Sequence, residues 1–236
     1  MKESRSEKIK YNIDKARENI EEACLSCGRS PEEVTLMAVT KTMPVEDINV
    51  ACGYGVLTLG ENRVQEMLSK YEGYDKNADI QFIGALQSNK VKYIIDKVSL
   101  IHSVDSLKLA EEIGKRAVNA GKIADILIEV NIGGEASKSG IAPEIVCEKV
   151  YEISELKGIK IKGLMTIPPI CENLRESSKF FENMRRLFVD IRDKKIDNVS
   201  MDILSMGMSG DYVEAIKQGS TVVRLGRALF GERKYI

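Results

Sequence analysis

Short apolar runs recur along the chain, and the hydrophobic period between them switches from strand-like to helical. The runs are "VTLMAV" (34–39), "VLTLG" (56–60), "IQFIGAL" (80–86), "VSLIHSV" (98–104), "DILIEVN" (125–131), "IKIKGLMTI" (159–167), "NVSMDILSM" (198–206) and "TVVRLG" (221–226). Their length and their Val, Ile and Leu content are those of buried strands. The intervening segments 45–52, 63–71, 88–97, 105–120, 143–155, 174–193 and 211–218 read as helices. Ahead of the first run, residues 5–27 form a charged amphipathic pattern with Ile9, Ile13, Ala16, Ile20 and Cys24 at helical spacing. "SPEEV" follows, with Ser30, Pro31 and Glu33 placed as a capping box.

Strands that alternate with helices pair in parallel through crossover connections. Eight of them close a (β/α)8 barrel, whose usual size is about 250 residues. The pattern therefore predicts an α/β fold: one TIM-type barrel domain over residues 1–236 with an extra N-terminal helix. A doubly wound open sheet is the alternative, but no G-x-G-x-x-G follows the first strand. No linker, low-complexity tract or repeat marks a second domain.

Composition narrows the chemistry. The 236 residues are 43% hydrophobic and 30% charged with a formal net charge of −1, which gives no electrostatic footprint for nucleic acid or an anionic membrane. No secretory h-region and no membrane-length apolar run is present, so a cytoplasmic protein is expected. The five cysteines are an odd number, and Cys24 and Cys27 form a C-x-x-C at a helix end, where the dipole disfavours a thiolate. With no second pair to complete a zinc set, they read as reduced thiols. His102 is the only histidine, which excludes a His–His metal site. Acid–base or nucleophilic work then falls to lysine, carboxylates or tyrosine.

Barrel active sites form at the C-terminal ends of the strands, so what each run ends on is informative. The first delivers Lys41, the second Glu61 and Asn62, the third Gln87, Ser88 and Asn89, and the fifth Asn131. The seventh passes through Ser205 and Gly207 into "MSGD", where Ser209 and Gly210 precede a helix starting near Asp211. Small residues before a helix N-terminus let backbone N–H groups approach an anion. The eighth carries Arg224 and ends in Gly226, and barrel phosphate sites are commonly built by the loops after strands seven and eight. Ser209 as an ordinary helix cap beside turn glycines is the plainer alternative.

Lys41 reads either as a lysine paired with Glu61 or reaching solvent, or as an amine of lowered pKa that attacks a carbonyl. A Schiff-base lysine facing an anion cradle suits a phosphorylated aldehyde, of which pyridoxal 5′-phosphate (PLP) is the obvious one. Arg224, set in an apolar strand, needs an acceptor. It reads as a partner of Glu129 or Asp202, or as a donor to the pyridine nitrogen of PLP, where it would weaken the ring as an electron sink.

At these residues the chain resembles the pyridoxal phosphate homeostasis proteins. The matching segments are "AVTKTMP" (38–44), "LGENRVQE" (59–66), "FIGALQSNK" (82–90), "VNIGGEASKSGI" (130–141), "GLMTIP" (163–168), "LSMGMSGDYVEAIKQGST" (204–221) and "VRLGRALFG" (223–231). The resemblance implies the alanine racemase barrel fold and PLP held on Lys41. It also implies phosphate at the Ser209 loop and Gly226, Arg224 toward the ring nitrogen, and Asn62 nearby. Ser205, Gly207 and Gly210 complete the expected set. Leu59 stands where an aromatic residue is usual, and Gly210 where an acidic one is, which would loosen the phosphate loop.

The implied role is PLP storage and delivery to PLP-dependent apo-enzymes by a monomer, without established enzymatic activity. Lys138, in the loop after the fifth run, either guides PLP transiently or is a solvated loop lysine. A racemase-like enzyme with weak activity is the alternative. Racemisation needs a second base, and Tyr235 in "ERKYI" is too isolated to serve. A Schiff-base aldolase without PLP would leave Arg224 unexplained.

Overall fold

The computed structural model describes residues 4–135, 138–171 and 173–232. Tyr235 lies outside them. Each apolar run forms a strand: β1 (Thr35–Val39), β2 (Thr58–Glu61), β3 (Asp79–Phe82), β4 (Leu100–Val104), β5 (Ala124–Val130), β6 (Ile159–Thr166), β7 (Val199–Met208) and β8 (Val222–Leu225). Every strand pairs in parallel with the next, and β8 pairs with β1 through registers such as Arg224 opposite Met37, closing the barrel.

The helices are α1 (Arg5–Ser26), α2 (Val45–Gly53), α3 (Val64–Lys70), α4 (Val91–Ile94), α5 (Leu107–Asn119), α6 (Val146–Ser154), α7 (Leu174–Asp193), α8 (Tyr212–Lys217) and α9 (Arg227–Phe230). None of the described helices is long and apolar enough to cross a membrane.

Strand alternation divides the core in two. Ala38, Leu59, Ile101, Ile126, Ile128 and Val223 point outward and join one continuous cluster with the helices. Inside the barrel, Met37, Val39, Ile83 and Val222 form one small apolar group, and Leu100, Leu127 and Met165 another. Polar inward residues lie between them, a departure from the usual filling of small barrels by branched apolar side chains.

Three expected segments differ. The third strand ends at Phe82, leaving Ile83–Leu86 as a connection. The expected 88–97 helix is a 3-10 turn, Ser88–Lys90, followed by the single turn of α4, in keeping with the competition of Ser and Asn side chains for backbone groups. The capping box at Ser30 is present but closes only a 3-10 turn, Pro31–Glu33.

The N-terminal helix is capped by a Ser4–Glu7 capping box and buries Ile9, Ile13, Ala16, Ile20, Ala23 and Cys24. It packs on α2, α8 and α9. Asn12 donates to Leu229 O (2.9 Å) and Asn19 to the Tyr212 hydroxyl (2.8 Å), so α1 braces both helices that follow the last two strands. Arg29, just beyond it, donates to the Ile216 and Ser220 carbonyls.

Candidate functional site

A cleft of about 780 Å³ opens at the C-terminal rim of the barrel, lined by Lys41, Asn62, Ser209, Gly210, Arg224 and Gly226 among others. Six of the eight residues expected from the sequence therefore meet in one place. The apolar part of its lining includes Ile167, Pro168, Pro169, Ile170, Leu174 and Met208.

Lys41 stands between two threonines whose backbones are held on both sides. Thr40 O accepts from Lys70 Nζ (3.0 Å), and the Thr40 hydroxyl donates to Glu61 Oε1 (2.7 Å). On the other side the Thr42 N–H donates to Glu66, and Thr42 adopts a left-handed φ of 64°. Lys70 also bonds Glu66 (2.6 Å) and Glu61 (3.3 Å), tying the clamp together. Burial alone would raise Glu66, but the bonds from Lys70 and Thr42 override it and hold the carboxyl below its ordinary range. Glu61 is fully buried and is taken by Thr40, Lys70 and Tyr74, so the clamp rests on its carboxylate.

Across the cleft, Ser209 Oγ accepts from the backbone N–H of Ala228 (3.1 Å), which joins the turn after β7 to the first turn of α9. Ser209 thus fastens two loops rather than capping α8. Asp211 is the N-cap of that helix, and its carboxylate accepts from Met208 N (2.6 Å). A Cβ at Gly210 would meet nothing within 4 Å, so the floor of the cleft is open there. The backbone at Ser209, Gly210 and Gly226 has the small-residue form that an anion cradle requires.

Two expected residues are placed elsewhere. Ser205 is fully buried one layer beneath the cleft, its hydroxyl bonded to Arg224 Nη1 (2.7 Å) and 3.0 Å from His102 Nδ1. Gly207 has φ 91°, and a Cβ there would come within 2.5 Å of the Ala215 Cβ, so it allows α8 to pack on β7. Both lie in the buried stretch of β7 that precedes its exposed end at Met208, and the β7–β8 pairing shifts register between Ser205 and Met208.

Arg224 is 3% exposed, and neither expected carboxylate bonds it. Its guanidinium donates to Ser205 O (2.8 Å), Ser205 Oγ (2.7 Å) and Thr166 O (2.8 Å). Burial lowers its pKa to about 10, with Asp211 and Glu129 opposing, so it stays charged at neutral pH. Asp202, which is exposed, instead pairs with Lys162 (3.1 Å).

Glu129 lies 8% exposed, and burial, reinforced by Asp105 and opposed by Arg224, pushes it up to about 7. A carboxyl raised from 4.5 to about 7 on folding contributes stability that is fully present below pH 4.5 and lost as pH rises through 7. Glu129→Gln is expected to flatten the unfolding free energy over that interval, removing a fall on the order of 3 kcal/mol. Urea unfolding at closely spaced pH values checks it, and parallel curves for the two proteins would sink it.

Lys138 pairs with Glu135 and approaches Pro168 O (3.4 Å), beside the cleft rim rather than within the lining. No group of three or more His, Cys, Asp or Glu among the described residues could hold a metal ion. All five cysteines are free.

The residues fit a phosphorylated, ring-bearing aldehyde. Asn62 Oδ1 is buried with no hydrogen-bond partner and its residue lines the cleft, leaving an acceptor for a ligand donor. An amine, a buried guanidinium and an open glycine turn share that cleft.

The family model for the alanine racemase N-terminal domain matches residues 9–234. A pyridoxal phosphate homeostasis protein of Aquifex aeolicus is 45% identical over 224 residues, covering 94% of this chain and 97% of the relative. The chain belongs to the pyridoxal phosphate homeostasis family. Among solved structures, a protein of unknown function from Bifidobacterium adolescentis superposes with a TM-score of 0.93 at 35% identity, covering 98% of this chain and 97% of its own. PipY of Synechococcus elongatus, solved with PLP bound, superposes at 0.79 with 31% identity, covering 90% and 100%. Both of these structures share the barrel, and PipY was solved with PLP bound.

Sequence reasoning missed the polar line inside the barrel that reaches Arg224 from below. Its one visible signal was a lone histidine in the middle of "VSLIHSV".

Proposed function

We propose that this protein binds PLP in the cleft, holds it as a Schiff base on Lys41, and serves intracellular PLP storage and delivery without catalysing a reaction of its own. The observation that carries this reading is the meeting of Lys41, Arg224 and the Ser209–Gly210 and Gly226 turns in one cleft. The PLP bound by PipY supports it. Lys41 anchors the aldehyde carbon, the two turns receive the phosphate, Asn62 accepts a hydrogen bond, and Arg224 faces the ring nitrogen. PLP itself supplies the reactive aldehyde and the ring. A cationic donor at the ring nitrogen keeps that nitrogen unprotonated and restrains carbanion chemistry, which suits a carrier. Release to PLP-dependent apo-enzymes then follows from transfer of the aldehyde to another amine.

The test is borohydride reduction of the PLP-loaded protein followed by peptide mass mapping. The pyridoxyl group is expected on the peptide containing Lys41. No incorporation, or incorporation spread over other lysines, overturns the reading. Incubation with amino acids in deuterated solvent separates a carrier from a racemase-like enzyme, since prompt α-proton exchange would establish turnover.

A further inference from the structure

A hydrogen-bonded line of polar residues runs through the barrel interior, from the cleft to the opposite rim. Arg224 Nη1 donates to Ser205 Oγ (2.7 Å), and Ser205 Oγ lies 3.0 Å from His102 Nδ1. His102 Nε2 lies 2.7 Å from Gln81 Oε1, and Gln81 Nε2 donates to Asp79 Oδ2 (2.6 Å). Asp79 opens β3 and therefore stands at the N-terminal rim, away from the cleft.

The two ends dictate the direction of each proton. The Asp79 carboxylate accepts, so the Gln81 amide NH₂ is directed to it and the Gln81 oxygen turns to His102. His102 must then carry its proton on Nε2, which leaves Nδ1 as an acceptor. The Ser205 hydroxyl donates to Nδ1, and its oxygen receives the Arg224 N–H. Reversing any member would set two donors or two acceptors face to face. Burial, helped by the Arg224 charge, holds His102 well below the ordinary histidine range and keeps it neutral, as this arrangement requires.

We infer that His102 is a positioning residue: as a neutral acceptor it fixes the Ser205 hydroxyl and, through it, the guanidinium that Arg224 presents to the cleft. The inference rests on the PLP reading for its consequence but not for its geometry. His102 is fully buried and does not line the cleft. Two backbone carbonyls also hold Arg224, so losing His102 shifts the guanidinium rather than releasing it.

The test combines NMR of the cofactor-free protein with PLP titration. In the unmodified chain, nitrogen-15 NMR should show His102 as the neutral Nε2–H tautomer at neutral pH. An imidazolium or an Nδ1–H tautomer overturns the inference. His102→Leu should move the Arg224 N–H resonances, and His102→Asn, whose amide oxygen can accept from Ser205, should return them toward their original positions. In the PLP titration, the Leu variant should bind about tenfold more weakly with a displaced visible band, about the worth of one buried hydrogen bond. The Asn variant should recover to within about threefold of the unmodified chain. Unmoved Arg224 resonances in His102→Leu, or Asn and Leu variants that lose affinity equally, overturn it. If the unmodified chain takes up no PLP, the functional reading fails, while the NMR arms still decide this one.

Discussion

Lys41→Ala is expected to abolish the visible absorption band that the unmodified protein acquires with PLP, and to prevent borohydride from fixing the cofactor to the chain. The expected effect is all or none, because an imine needs the amine and alanine offers none. The fold should be little affected. The clamp around this position uses the Thr40 carbonyl, the Thr40 hydroxyl and the Thr42 N–H, none of which belongs to the Lys41 side chain. A substitution at this partly buried cleft position costs about 0.5 kcal/mol, or roughly 2 °C in Tm for a chain of this size. PLP should still bind weakly through its phosphate and ring, so dialysis would show affinity without colour. A variant that keeps both the band and the reducible linkage would place the covalent anchor on another lysine. The contrast would separate two roles: the Lys41 amine is proposed to anchor the cofactor, whereas Glu66 and Lys70 hold the backbone of its neighbours Thr42 and Thr40.

Much of this arrangement is legible in the sequence because barrel geometry converts order along the chain into position at one rim. Lys41, Asn62, Ser209, Gly210 and Gly226 each follow or end an apolar run, Arg224 lies within the last one, and all six line the cleft. Ser205 and Gly207 belong to the same segment, yet Ser205 bonds Arg224 beneath the cleft and Gly207 packs against α8. The partners of charged residues were less legible. Glu61 looked like a partner for Lys41, but it is secured by Thr40, Lys70 and Tyr74. Arg224 looked like half of an ion pair, but it bonds two backbone carbonyls and a serine, acceptors that no composition argument can locate. The line of Asp79, Gln81, His102, Ser205 and Arg224 draws on four different strands. Only closure of the barrel brings them together, so no spacing within any one segment announces it.

Gly84→Ala is expected to be the most damaging small substitution near the cleft, lowering Tm and PLP affinity together. Gly84 follows β3 in "FIGAL", where Ile83 N–H already donates to Glu61 O (2.8 Å) and draws the chain against the end of β2. A Cβ at Gly84 would stand 2.2 Å from Asn62 O and 2.7 Å from Asn62 C and Cα. These are backbone atoms, so no rotamer change relieves the clash, and the ends of β2 and β3 must part. Overpacking of this kind costs about 3 kcal/mol, or roughly 6–12 °C in Tm. The displaced residue is Asn62, whose buried oxygen awaits a donor in the cleft, so the damage reaches the cofactor as well as the fold. Gly210→Ala is the matched control: its Cβ would enter open space, so thermal unfolding should hardly change. If Gly84→Ala melts with the unmodified protein, the β2–β3 junction yields easily and the close approach at Asn62 carries no structural weight. If it melts lower yet binds PLP with unchanged affinity, Asn62 is no ligand, and the cleft holds its cofactor through Lys41, Arg224 and the two glycine turns alone.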